Sequence, residues 1–172
     1  MSLDSLDKLF LDELRDMYNG EKQITRALPK MAKAAENPEL QQAFSKHLKE
    51  TEGQIQRLEQ IFKELGEAVR GKTCKGLQGI LEEGKEMMEE EGEDAVLDAA
   101  LISAAQKVEH YEIASYGCLR AYAQLLGYDS AVRLLEQNLA EEEAADKKLT
   151  QLGESGINEA AAAVGGDSEE DQ

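Results

Sequence analysis

Acidic side chains fall in the middle of four apolar stripes along this 172-residue chain. Glu21 sits among Met17, Ile24 and Leu28, and Glu50 follows His47 on a strip that continues through Gln54 to Leu58. Glu109 and Glu112 interrupt the run from Ala105 to Leu119. Glu142 and Asp146 interrupt the run from Val132 through Leu135 and Leu139 to Leu149. On a helix, positions three and four apart stay within roughly 60° of each other, so each group shares a face with the apolar residues around it. An unpaired carboxylate in a helix-bundle core is costly enough to shift its pKa until it is neutral. Four such groups at similar depth point to a cation between them. Oxygen-rich sets with one or two imidazoles suit iron or manganese, and a carboxylate can bridge two such ions. The candidate ligands are therefore Glu21, His47, Glu50, Glu109, Glu112, Glu142 and Asp146, around two Fe or Mn ions. The alternative is a set of edge carboxylates, hydrogen-bonded or reaching water along their stems, in a non-catalytic scaffold.

The supply of histidine narrows the chemistry. Di-iron bundles commonly carry Glu-x-x-His on two helices. Here Gly53 stands three residues after Glu50, with Gln54 next, and Ala145 three after Glu142, with Asp146 next. His47 precedes Glu50 by three residues and can still share its inward strip, whereas His110 turns about 100° away from Glu109. A site with one histidine or none binds metal more weakly. Tyr18, one turn before Glu21, and Tyr116, one turn after Glu112, can donate hydrogen bonds to ligand carboxylates or simply fill the core. Gln54 and His110 are further candidate partners of the ligands.

Helices must position these groups. The stripe Leu3, Leu6, Phe10, Leu14, Met17, Ile24, Leu28 and Met31 predicts a first helix over about 3–36, with Pro29 a place for a kink. Asn37-Pro38 restarts the chain as N-cap and first helical residue of a second helix, 38–65, striped by Leu40, Phe44, His47 or Leu48, Thr51, Ile55, Leu58 and Phe62. Residues 66–93 are rich in glycine and carry a weaker helix from Lys75 to Glu91. Helices over 94–126, ended by Gly127, and 129–152, capped by Asp129 and ended by Gly153, complete the set. Ile157 to Val164 reads as a short helix and the acidic end after Gly165 as disorder. Short connections make two antiparallel hairpins, and the 66–93 crossover is long enough to return along the bundle. The expected fold is all-α, a ferritin-like four-helix bundle over 1–153 followed by a short segment and tail over 154–172.

Asp12-Glu13-Leu14 with Tyr18 and Glu21, His47-Leu48-Lys49-Glu50-Thr51, Glu109-His110-Tyr111-Glu112-Ile113-Ala114, and Leu139-Ala140-Glu141-Glu142 with Asp146 resemble the bacterial YciF/YciE stress-protein family, from about Leu3 to Leu152. The resemblance implies a ferritin-like fold, dimers, a di-metal site and a link to stress responses. It implies no particular reaction.

Composition bounds the rest. The net charge is −17, and four of the acidic residues lie in the last six positions, so the remainder carries −13. Such a surface repels nucleic acid and anionic membranes and attracts cations. The apolar runs are too short to span a membrane. Met1-Ser2-Leu3-Asp4 has no charged segment leading into an apolar block, so a cytoplasmic location is expected. Cys74 and Cys118 suit reduced thiols rather than a disulfide framework, with Cys118 expected as a small core residue.

Overall fold

Capping chemistry sets the ends of the helices. The computed structural model describes residues 3–164, which contain α1 (Leu6–Ala34), α2 (Pro38–Glu64), α3 (Lys75–Glu89), α4 (Asp94–Leu126) and α5 (Asp129–Leu152), then a π-turn, Gly153–Ile157, and a short α6, Asn158–Ala163. Helix α1 begins later than predicted because Ser5 is the cap, its hydroxyl accepting from the Lys8 N–H at 3.3 Å. Leu3 therefore lies outside the helix and is exposed. Pro29 is on the solvent side, and α1 runs through it. Asn37 caps α2 as expected, accepting from the N–H groups of Glu39 at 2.9 Å and Leu40 at 3.2 Å. Gly127, at φ +75°, closes α4 while the Tyr128 N–H bonds the Ala123 carbonyl at 2.9 Å.

Two predicted boundaries are corrected. Tyr128 occupies the cap position of α5, and Asp129 is instead the first helical residue, where its charge faces the positive end of the dipole. Gly153 keeps helical angles and does not stop the chain; the break comes at Gly156, at φ +149°. The acidic tail predicted to be disordered lies outside the described residues.

Hairpins α1–α2 and α4–α5 pack against each other, and α3, carried by the crossover, lies on α1 and α4. This is the ferritin-like arrangement. Helix α3 sits close because glycine allows it. A Cβ at Gly20 would lie 2.4 Å from Leu77 Cδ1, and one at Gly76 would lie 2.5 Å from the Tyr111 ring. Buried Cys74 anchors the start of α3, its N–H donating to Asn19 Oδ1 at 2.9 Å and its Sγ 3.2 Å from the Tyr111 hydroxyl. Burial pushes its thiol pKa up, which suits a packing role over a reactive one. Cys118 is exposed, against expectation, because Tyr116 and Leu119 take the inward positions of that turn.

The core is built from Phe10, Leu14, Ile24, Leu40, Phe44, Leu58, Leu119 and Leu135, all buried. Two stripe positions differ. On α2 Gln54, on the strip of His47 and Glu50, is buried while Ile55 lies on the flank; on α5 Asn138 is buried and Leu139 is displaced. Asp98 on α4, also buried, accepts from the backbone N–H groups of Glu36 at 2.9 Å and Asn37 at 2.8 Å, tying the second hairpin to the turn of the first. No described helix is long and apolar enough to cross a membrane.

Candidate metal centre

Three of the four long helices deliver polar side chains to a common interior point, and α1 sets Glu21 beside Glu112 next to it. Glu21 comes from α1, His47 from α2, Glu109 and Glu112 from α4 and Glu142 from α5; all five are buried. Among the described residues, His47, Glu109, Glu112 and Glu142 each offer a ligand atom within 4.8 Å of the others. His47 Nε2 lies 3.4 Å from Glu109 Oε2 and 3.5 Å from Glu142 Oε2, while Nδ1 is 3.5 Å from Glu50 Oε2. These separations are too long for good hydrogen bonds. The two from Nε2 suit atoms arranged around a shared neighbour.

Two side chains orient the acids. The Tyr116 hydroxyl donates to Glu21 Oε1, and Gln54 Nε2 donates to Glu142 Oε1 and, at 3.2 Å, to Glu141 Oε2. Arg57 extends the network, donating to Asn138 Oδ1 and to Glu141. Sequence reasoning missed Asn138, Arg57 and Glu141. Asn138 was detectable in principle, lying three residues after Leu135 and four before Glu142 on the inward face of α5.

The remaining acceptors have no partner. Glu21 Oε2, Glu109 Oε2, both oxygens of Glu112, Glu142 Oε2, Gln54 Oε1 and both nitrogens of His47 are buried without a hydrogen bond. Buried polar atoms are nearly always paired, so this many orphans at one point mark a place shaped for something they would bind. The ligand atoms, several carboxylate oxygens and one imidazole, are a set that could hold a metal ion. The electrostatics agree. Burial, reinforced by the neighbouring Glu142 charge, holds the pKa of Glu21 and Glu112 well above the ordinary range; burial and contact with Glu142 do the same for Glu109. Tyr116 is likewise pushed up, first by burial and then by the acids around it. Burial alone would lower the His47 pKa, but its closeness to Glu50 and the charge of Glu142 outweigh this and raise it.

Other predicted site residues lie elsewhere. Glu50 is at the rim, partly exposed, with Oε1 2.7 Å from Lys46 Nζ; contact with His47 helps to lower its pKa. Asp146 is turned to the α4 flank, where Oδ1 accepts from Gln106 Nε2 at 3.0 Å and meets exposed His110 at 3.2 Å. The roughly 40° between positions four apart is enough to carry it off the inward face that Glu142 occupies. Neither Asp146 nor His110 belongs to the cluster. Tyr18 is corrected too: its hydroxyl donates to Glu59 at 2.9 Å and does not reach Glu21.

Residues 5–162 match the family model described as a domain of unknown function (DUF892). The chain is 46% identical to protein YciF of Escherichia coli K12 over 162 residues, 94% of this chain and 98% of YciF. It superposes on the crystal structure of that stress protein with a TM-score of 0.87, covering 91% of this chain and 99% of the other. YcfI of Rhodopseudomonas palustris, provisionally described as a structural protein, matches with a TM-score of 0.84 at 48% identity, over 87% of this chain and 97% of YcfI. A Xanthomonas campestris protein at 19% identity shares the fold, with a TM-score of 0.73 over 93% of this chain and 99% of that one.

Proposed function

This chain belongs to the DUF892 family and resembles the stress protein YciF along nearly its whole length; from that premise we propose that it is a stress-associated ferritin-like protein whose bundle holds two iron or manganese ions. Glu21, His47, Glu109, Glu112 and Glu142 would hold them, with Glu50 at the rim. The observation that carries the reading is the set of buried acceptors without partners, contributed by all four long helices. Bound ions of this kind supply one-electron chemistry on oxygen or peroxide. The chain's own part is to place and dry the site. Tyr116 holds one oxygen of Glu21, Gln54 holds one oxygen of Glu142, and each leaves the second oxygen buried without a hydrogen bond. The protein would act in the cytoplasm as a homodimer, without nucleic acid or membrane; sedimentation of the purified chain tests the dimer.

Anaerobic loading with Fe(II) or Mn(II) followed by elemental analysis tests the centre, with about two ions per chain expected. Stoichiometry near zero with unchanged thermal stability overturns it. A second reading, a scaffold that binds no metal, is favoured by the raised carboxyl pKa values: protonated carboxyls can share hydrogens and remain buried. The two readings part at Glu142→Gln, which weakens metal binding in a cage but leaves a scaffold of the same volume equally or more stable.

A further inference from the structure

One seam of the bundle leads to the centre. Between α2 and α5 a cavity of about 40 Å³ has His47, Glu50 and Glu109 on its lining. Small residues leave it unfilled. Ala43, one turn after Leu40, and Ala145, one turn before Leu149, stand where larger side chains pack elsewhere along the same faces. Glu21, Glu112 and Glu142 are fully buried, whereas the Glu50 side chain, at 23% exposure, meets solvent at this seam. On the far side of the bundle, α3 lies across α1 and α4.

The groove above the seam is richer in cations than the chain as a whole. Lys46, Lys49 and Lys148 line it with one acid, Glu39, in a molecule of net charge −17. Lys46 lies 2.7 Å from Glu50 and Lys148 3.6 Å from Glu39. Both lysines are well exposed, and such pairs hold weakly and exchange readily. With three lysines against Glu39, the groove favours an anion over a cation more than the remaining acidic surface does. A water needs about 10–15 Å³ of such space, so the cavity takes roughly three water-sized molecules and excludes sugars, nucleotides and most amino acids.

We propose that the α2–α5 seam is the entrance to the centre and admits a small anion of hydroperoxide size, gathered by the lysine mouth and seated against His47 and Glu109. The inference rests on the metal reading, because an anion beside Glu50 and Glu109 needs a cation there to bind.

Azide and Co(II) test it on the full chain. Azide should perturb the visible spectrum of the Co(II)-loaded protein. Ala145→Leu, and independently Ala43→Leu from the facing helix, should bind the same amount of Co(II) while their azide dissociation constant rises by about tenfold or more, as expected when a filled seam removes a binding position. Lys46→Met combined with Lys148→Met should weaken azide about threefold to tenfold at low salt, with the difference shrinking at high salt. Full Co(II) occupancy with no azide response in the parent chain, or an unchanged response in both leucine variants, overturns the entrance. A salt-independent lysine effect overturns selection by charge. If the parent chain binds no Co(II), the metal reading itself fails and the anion site falls with it.

Discussion

Replacing Glu112 by glutamine should stabilise the metal-free protein at neutral pH and leave it unchanged in mild acid. Glu112 is fully buried, neither oxygen has a partner, and Glu142, Glu21 and Glu109 surround it, so its folded pKa stands well above the ordinary 4.5. A raised carboxylate pKa contributes stability that is fully present below the unfolded value and is lost as pH rises toward the folded one. The loss cannot exceed about 1.4 kcal/mol per pH unit for each group still protonated, so between the ordinary value and pH 7 one such residue costs at most roughly 3 kcal/mol. The glutamine side chain has no titrating proton to hold and offers its amide hydrogens to the orphaned oxygens nearby. For a chain of this size each kcal/mol moves Tm by about 2–4 °C, so the variant should melt up to about 12 °C higher at pH 7. Near pH 4.5 it should melt with the parent. Because the acids are coupled, the measured quantity is the loss of about one proton from the group's total, not a pKa of one residue. Thermal melts by circular dichroism in EDTA, from pH 4.5 to 8, supply the curves; the background of −17 is shared apart from the one charge removed and largely cancels in the difference. A glutamine variant less stable than the parent by the same amount at every pH would refute the reasoning. With saturating Mn(II) the order should reverse, since only the intact cage gains the full binding energy.

Tyr116→Phe takes the donor from Glu21 Oε1 and adds another buried orphan, so the metal-free protein should lose about 1–3 kcal/mol in urea denaturation. Asp98→Ala strands the N–H groups of Glu36 and Asn37 and should cost about 2–4 kcal/mol, with Asp98→Asn recovering part, again by denaturant melts. Gly76→Ala drives a methyl into the Tyr111 ring; overpacking of about 1–3 kcal/mol should outweigh the gain of about 1 kcal/mol in helix propensity, and amide exchange in α3 should quicken.

Much of the fold was legible in local chemistry. Asn37-Pro38 and Gly127 act as their types dictate, and the length of the 66–93 crossover implied the bundle's connectivity. The depth of Glu21, Glu109, Glu112 and Glu142 could be read from the stripes because each stood between residues that had to be buried. His47 and Leu48 could not be told apart by periodicity, and the structure buries His47. Errors came where a helix had only to rotate slightly. About 40° is all that separates Asp146, turned to the flank, from inward Glu142. Such rotations depend on packing between helices, to which a single stripe is blind. Asp98 was invisible for a different reason: its partners lie 61 and 62 residues away, and nothing local marks an acid for a distant turn.

The buried polar contacts also fix an alignment. Tyr116 with Glu21, Gln54 with Glu142, Arg57 with Asn138 and Asp98 with the α1–α2 turn each join one hairpin to the other. Sliding one hairpin by a single helical turn, about 5.4 Å, would part all four at once. Leucine against leucine would find new neighbours after such a slip, and the apolar seam alone would accept several settings. The acids that weaken the metal-free bundle therefore also act as a registration key that selects one way for the two halves to meet.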